Sequence, residues 1–161
     1  ENLAGTYQVH RAVLKMLDPA GFEDFLENLG GEIADILRVD ALKLVLESAA
    51  SDDDPAVRKL GDVLSVAELG FVDGYLTQGR NVPVRQVTLR QVQPDSGLIY
   101  GEAGDYIRSE ACLRLDLGAG RLPGMLVFGA EDPHQFKPTQ GTDLLTFFAG
   151  VFERAMRRWL S

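Results

Sequence analysis

The chain has 161 residues, 45% of them hydrophobic, which is the size of one domain with a sizeable core. Its 24 acidic and 16 basic residues leave a formal net charge of −8, which disfavours nucleic acid and anionic membranes as partners because both reward concentrated positive charge. The lone cysteine, Cys112, excludes an intrachain disulfide and fits a reducing cytoplasm, and the uncharged runs LPGMLVFGA and LLTFFAGVF fall far short of the roughly twenty residues of a spanning helix.

The N-terminus lacks the basic start and apolar run of a signal peptide. It opens on Glu1 inside a helical pattern, so the helix over residues 1–17 is expected to continue a longer helical segment. Leu3, Tyr7, His10, Leu14 and Leu17 are spaced four, three, four and three, a short heptad seam with Val13 beside it. The seam reads equally as a coiled-coil face or as the apolar stripe of a helix lying on its own domain. Asp18-Pro19 restarts the chain as a helix cap. The second helix buries Phe22, Phe25, Leu26, Leu29, Ile33 and Leu37, with Gly30-Gly31 marking a kink or a close approach to a neighbour.

From Ala41 the period changes to two, and Leu42, Leu44 and Leu46 predict a strand. Residues 56–83 are irregular, with short helical pieces broken by glycine, and Val84 to Val92 has the β-branched alternation of a further strand. Glu110 to Leu117 places Leu113, Leu115 and Leu117 on one face and Cys112, Arg114 and Asp116 on the other. After the GAGR turn, Leu122 to Ala130 is the returning strand of a hairpin. Gly141 to Leu160 is an amphipathic helix burying Leu144, Leu145, Phe148, Val151, Phe152, Ala155 and Trp159. Arg154, Arg157 and Arg158 then sit in its last turns, where the macrodipole favours cations. The order predicts an α+β fold in one domain spanning 1–161: a central antiparallel sheet flanked by N- and C-terminal helices.

Motifs for chemistry are weak. SDDDP lacks the alternating ligands and glycine of a calcium loop, and reads as a solvated turn. GAGRLPG is followed by a strand where a phosphate-binding loop needs a helix, so it is a hairpin turn. His134, two residues after Asp132, has the makings of a general base with its orienting acid, but no nucleophile motif accompanies it. Ser109 lacks the flanking glycines of a nucleophile elbow. Two histidines and one cysteine far apart give no metal-ligand cluster, and Cys112 inside a strand reads as a small packed hydrophobe.

The C-terminal half carries a pattern of its own: ACLRLDL turns through glycine into PGMLVFGAED, and a loop reaching Phe136 leads into LLTFFAGVFERAM. This resembles the GAF domain, and the leading helices and the Leu42–Leu46 strand match it in order, so the resemblance covers nearly the whole chain. YGEAGDYIRSEACLRLDL and FGAEDPHQFKPTQGTDLLTFFAGVFERAMRRWL are similar, more specifically, to an uncharacterised bacterial group, the domain-of-unknown-function family four-eight-four. The resemblance implies a GAF-like (PAS/profilin-like) fold, a pocket between the sheet and its covering loops, and pairing of two subunits through the first and last helices. It brings no activity, and the cofactor stays unknown. The Asn-Lys-Phe-Asp-Glu set of cyclic-nucleotide-binding members is missing. One cysteine cannot run a methionine-sulfoxide-reducing cycle, and Leu113 stands after Cys112 where bilin-binding members place a histidine.

The expectation is therefore a cytoplasmic, non-catalytic sensing or regulatory module that forms a homodimer. Its partners exclude nucleic acid and membrane, and its pocket lies under residues 56–83 and 95–110. Tyr100, Arg108 and Ser109 are the candidate ligand contacts, with Arg108 alternatively in a salt bridge to Asp105 or Glu110. Leu3, Tyr7, His10, Leu14 and Trp159 are the candidate dimer contacts. A pure dimerisation scaffold whose own side chains fill the cavity is the alternative, and an enzyme built on His134 and Asp132 comes third.

Overall fold

The computed structural model describes residues 3–47, 63–92, 106–118, 122–136 and 142–160, with the backbone alone for 3–7, 22 and 159–160. Helix α1 (Leu3–Leu17) leads into α2 (Phe22–Asn28), a π-helical turn over Leu29–Ile33, and α3 (Ala34–Leu37). The Gly30-Gly31 pair sits inside the π turn, where the helical ladder widens by one residue. The interruption is a close approach: a Cβ on Gly30 would run into Cγ2 of Val63, which precedes the second strand. Only a hydrogen fits between the helix and that chain.

Five strands follow: β1 (Ala41–Glu47), β2 (Leu64–Ala67), β3 (Val87–Gln91), β4 (Ser109–Leu115) and β5 (Gly124–Ala130). A short helix, α4 (Phe71–Thr77), stands between β2 and β3, and α5 (Asp143–Leu160) closes the described chain. The sheet order is β2-β1-β5-β4-β3. The predicted hairpin is present as the β4–β5 pair, with Cys112 opposite Val127 and Leu113 opposite Leu126. β1 pairs antiparallel with β5, and β3 with β4, but β1 and β2 run parallel. The sheet is thus mixed where the sequence suggested an antiparallel one. The 48–63 connection has the length that a parallel crossover needs and a hairpin does not. The α+β arrangement, a central sheet between N- and C-terminal helices, is consistent with a GAF-like fold.

Both faces of the sheet are covered, which explains why β5 reads as a continuous apolar run and is buried along its whole length. On one face Leu42, Leu44, Leu113, Leu115, Leu126 and Phe128 meet Phe25, Leu29 and Ile33 from the N-terminal helices and Phe148, Phe152 and Met156 from α5. On the other, Val45, Cys112, Met125 and Val127 meet Ile107 and the α4 residues Val72 and Leu76. Gly124 is in close contact where β5 begins: a Cβ there would lie 3.1 Å from Leu46 Cδ2 and 3.2 Å from Leu117 Cδ1.

In α1 the stripe facing the core is Val9, Ala12 and Met16. The reading of the heptad seam as the buried stripe is therefore corrected. His10 is exposed, and Leu14 and Leu17 are 66% and 50% exposed, because this part of the seam lies on the side of the helix turned from the core.

Candidate functional site

Turning the seam outward makes it available. Leu14 and Leu17 on α1 are exposed, and so is Phe147 of α5, at 48%. The two helices meet at this surface through His10, whose ring stands edge-on to Phe147 with centroids 6.3 Å apart. Aliphatic and aromatic side chains exposed in this way lie on helices whose opposite faces bury Met16, Phe148 and Phe152. Of the residues expected at a dimer contact, His10 and Leu14 are placed on this surface. The side chains of Leu3, Tyr7 and Trp159 lie outside the described residues, though their backbones belong to α1 and α5.

The second sheet face holds a polar network that the sequence reading missed. Helix α4 is fastened to the sheet at both ends and in the middle. The Glu47 carboxylate, at the end of β1, accepts from the backbone N–H of Gly70 at 3.0 Å and of Val72 at 2.9 Å, complementing the positive start of the helix. Arg114 donates from Nε to Asp73 Oδ1 at 2.7 Å. That hydrogen bond is the main reason its guanidinium is raised above its ordinary value. Arg90 donates to the carbonyls of Leu76 and Tyr75 at 3.1 and 2.9 Å, satisfying the last turn, and to Glu110 Oε2 at 2.7 Å. The guanidinium also lies over the Tyr75 ring, 4.8 Å from its centroid.

Glu110 is fully buried and receives a second hydrogen bond from the Tyr75 hydroxyl at 2.6 Å. Burial first, and the Glu110 charge next, push the Tyr75 phenol well above its usual range. The same two causes hold the neighbouring Cys112 thiol protonated, so Cys112 behaves as a packed hydrophobe. Among the described residues no buried side-chain nitrogen or oxygen lacks a hydrogen-bond partner. The signal that could have revealed this network is the charge pattern Glu110, Cys112, Arg114 on one face of β4. Glu110 and Arg114 flank a wholly buried position, so a covering element had to bring partners for them.

The predicted ligand contacts are not gathered together. Tyr100 lies outside the described residues. Ser109 is buried, and its hydroxyl donates to the Asp132 carbonyl at 2.6 Å, tying β4 to the loop after β5. Arg108 donates to its neighbour Ile107's carbonyl at 3.1 Å. Its alternative partner Glu110 is taken by Arg90 and Tyr75, and Asp105 lies outside the described residues. Asp132 and His134 stand on an exposed loop, where Asp132 Oδ1 accepts from the His134 backbone amide at 2.8 Å. That contact makes a turn and leaves the imidazole unoriented by the acid. Among the described residues no group of three or more His, Cys, Asp or Glu side chains is placed to hold a metal, and no helix is long and apolar enough to cross a membrane.

A family model described as "Protein of unknown function, DUF484" matches residues 1–161. No curated protein gives a significant match.

Proposed function

The chain belongs to the DUF484 family, and from that premise we propose that it is a non-catalytic, GAF-like sensing or regulatory module of the bacterial cytoplasm that works as a homodimer. One observation carries the reading: Leu14 and Leu17 of α1 and Phe147 of α5 are exposed on helices that meet through His10 and Phe147. Heptad spacing suits a helix that packs on a second helix, and two copies of the stripe are complementary to each other about a twofold axis. The exposed loop position of His134 and Asp132 speaks against an enzyme built on that pair.

A pure dimerisation scaffold is the second reading, and α4 favours it. Between the sheet and α4, Tyr75, Arg90, Glu110 and Cys112 pack together as the protein's own side chains, while the rest of the expected pocket, under 56–62 and 95–105, lies outside the described residues. Native mass spectrometry of the purified chain separates these readings. A dimer carrying a retained small molecule supports the sensor, and a dimer without one supports the scaffold. A species of single-chain mass at every concentration removes both.

A further inference from the structure

An open cavity of about 370 Å³ lies beside the start of β3, away from the α4 network's buried centre. It is lined by Val84, Arg85, Gln86, Arg114, Asp116 and Glu153. Its volume falls in the range of small-molecule sites. Three of its charged groups have capacity left over. Glu153 of α5 is only 8% exposed, and its Oε2 accepts from the Asp116 backbone N–H at 2.7 Å. Its Oε1 takes no hydrogen bond from a described residue. Since no buried side-chain oxygen among those residues goes unpartnered, Oε1 is not sealed in the core, and Glu153 is a lining residue of the cavity. Arg114 uses Nε and Nη2 on Asp73, which leaves Nη1 unengaged among the described residues. Arg85 is exposed and forms no ion pair with a described residue. Asp116, by contrast, is engaged: Oδ1 accepts from Gly118, and Oδ2 lies 3.6 Å from Arg157.

We propose that this cavity binds a free α-amino acid, with its carboxylate on Arg85 and Arg114 and its ammonium on Glu153 Oε1. Guanidinium groups match a carboxylate with paired hydrogen bonds, and a carboxylate oxygen left without a protein donor is satisfied best by a cationic one. A phosphate dianion would meet the carboxylates of Glu153 and Asp116, whereas a zwitterion complements both signs at once. The site also has a route to the rest of the molecule, since Glu153 belongs to α5, which carries Phe147, and Arg114 holds α4. This assignment rests on the sensing reading and gives it a ligand class.

The test is calorimetric titration of the full chain with each common L-amino acid, with inorganic phosphate as a control. At least one amino acid is expected to bind saturably, and phosphate is not. Arg85→Ala and Glu153→Gln should each weaken that binding about tenfold or more, the loss expected for one charge-assisted hydrogen bond. The N-acetyl form of the same amino acid should lose as much against the wild-type chain and nothing further against Glu153→Gln. Arg85 is exposed, so its replacement leaves the fold intact, and the side-chain carbonyl introduced by Glu153→Gln still accepts from the Asp116 amide. Failure of every amino acid to bind overturns the assignment, as does binding indifferent to both substitutions or to N-acetylation. Light scattering on the same samples keeps the two ideas separate: an intact dimer that binds no amino acid removes the cavity assignment alone.

Discussion

Glu110 is the side chain on which the second sheet face depends most. It is fully buried and is shared by Arg90 and Tyr75, so removing it leaves a guanidinium without its counter-charge and a phenol without its acceptor. Glu110→Ala should lower the unfolding free energy by about 3–5 kcal/mol, the usual cost of breaking a buried pair from one side. Glu110→Gln, which keeps an acceptor for Tyr75, should cost less. Urea denaturation of the two variants checks the order. The raised Cys112 and Tyr75 groups also fix a pH dependence. Below their ordinary values of 9.0 and 10.0 both the folded and unfolded chains hold these protons, and their contribution to stability is fully present. Above those values the unfolded chain releases protons that the native chain keeps, so stability falls as pH rises, by up to about 1.4 kcal/mol per pH unit for each group. Denaturation midpoints should therefore drop between neutral pH and about pH 10, and Cys112→Ala should show a smaller drop over the same range. A midpoint flat across that window would contradict the buried, protonated thiol and phenol.

Among the elements, the helix containing Gly30 and the short helix α4 show what local sequence can and cannot reveal. The pause at Gly30-Gly31 was legible as a kink or close approach; that Val63 is the neighbour was not, because the contact spans more than thirty residues of chain. Gly30→Ala should destabilise by about 1–3 kcal/mol through overpacking, and adding Val63→Ala should recover much of that loss, a coupling measurable as a double-mutant cycle. Strands β4 and β5 were readable from alternation and from an unbroken apolar run. β2, with four residues, was too short to show a period, and it stayed within the irregular region. α4 has seven residues and an internal glycine, so propensity barely supports it. Glu47, Arg90 and Arg114, all on distant strands, hold it in place. The candidate site was hidden for the same reason, since Arg85, Arg114 and Glu153 converge only through the fold. On α1 the apolar spacing was visible, but spacing alone could not say which of two stripes faced inward. The small side chain of Ala12, fully buried beside Val9 and Met16, lets α1 lie close to its neighbours on that side.

For the whole molecule the central claim is that the outward stripe of α1, with Phe147 of α5, pairs two copies of the chain. Leu122 supplies a control, because it is likewise a 42% exposed leucine but belongs to the β4–β5 connection. A charge placed in an apolar helical interface opposes association, whereas the same charge on free surface does not. Sedimentation velocity over a range of concentrations, run on the wild-type chain, on Leu14→Glu combined with Phe147→Glu, and on Leu122→Glu, tests the claim most directly. The pairing surface predicts a dimer for the wild type and for Leu122→Glu, and a folded monomer for the double variant. A monomeric wild type, or a double variant that remains dimeric, would contradict it.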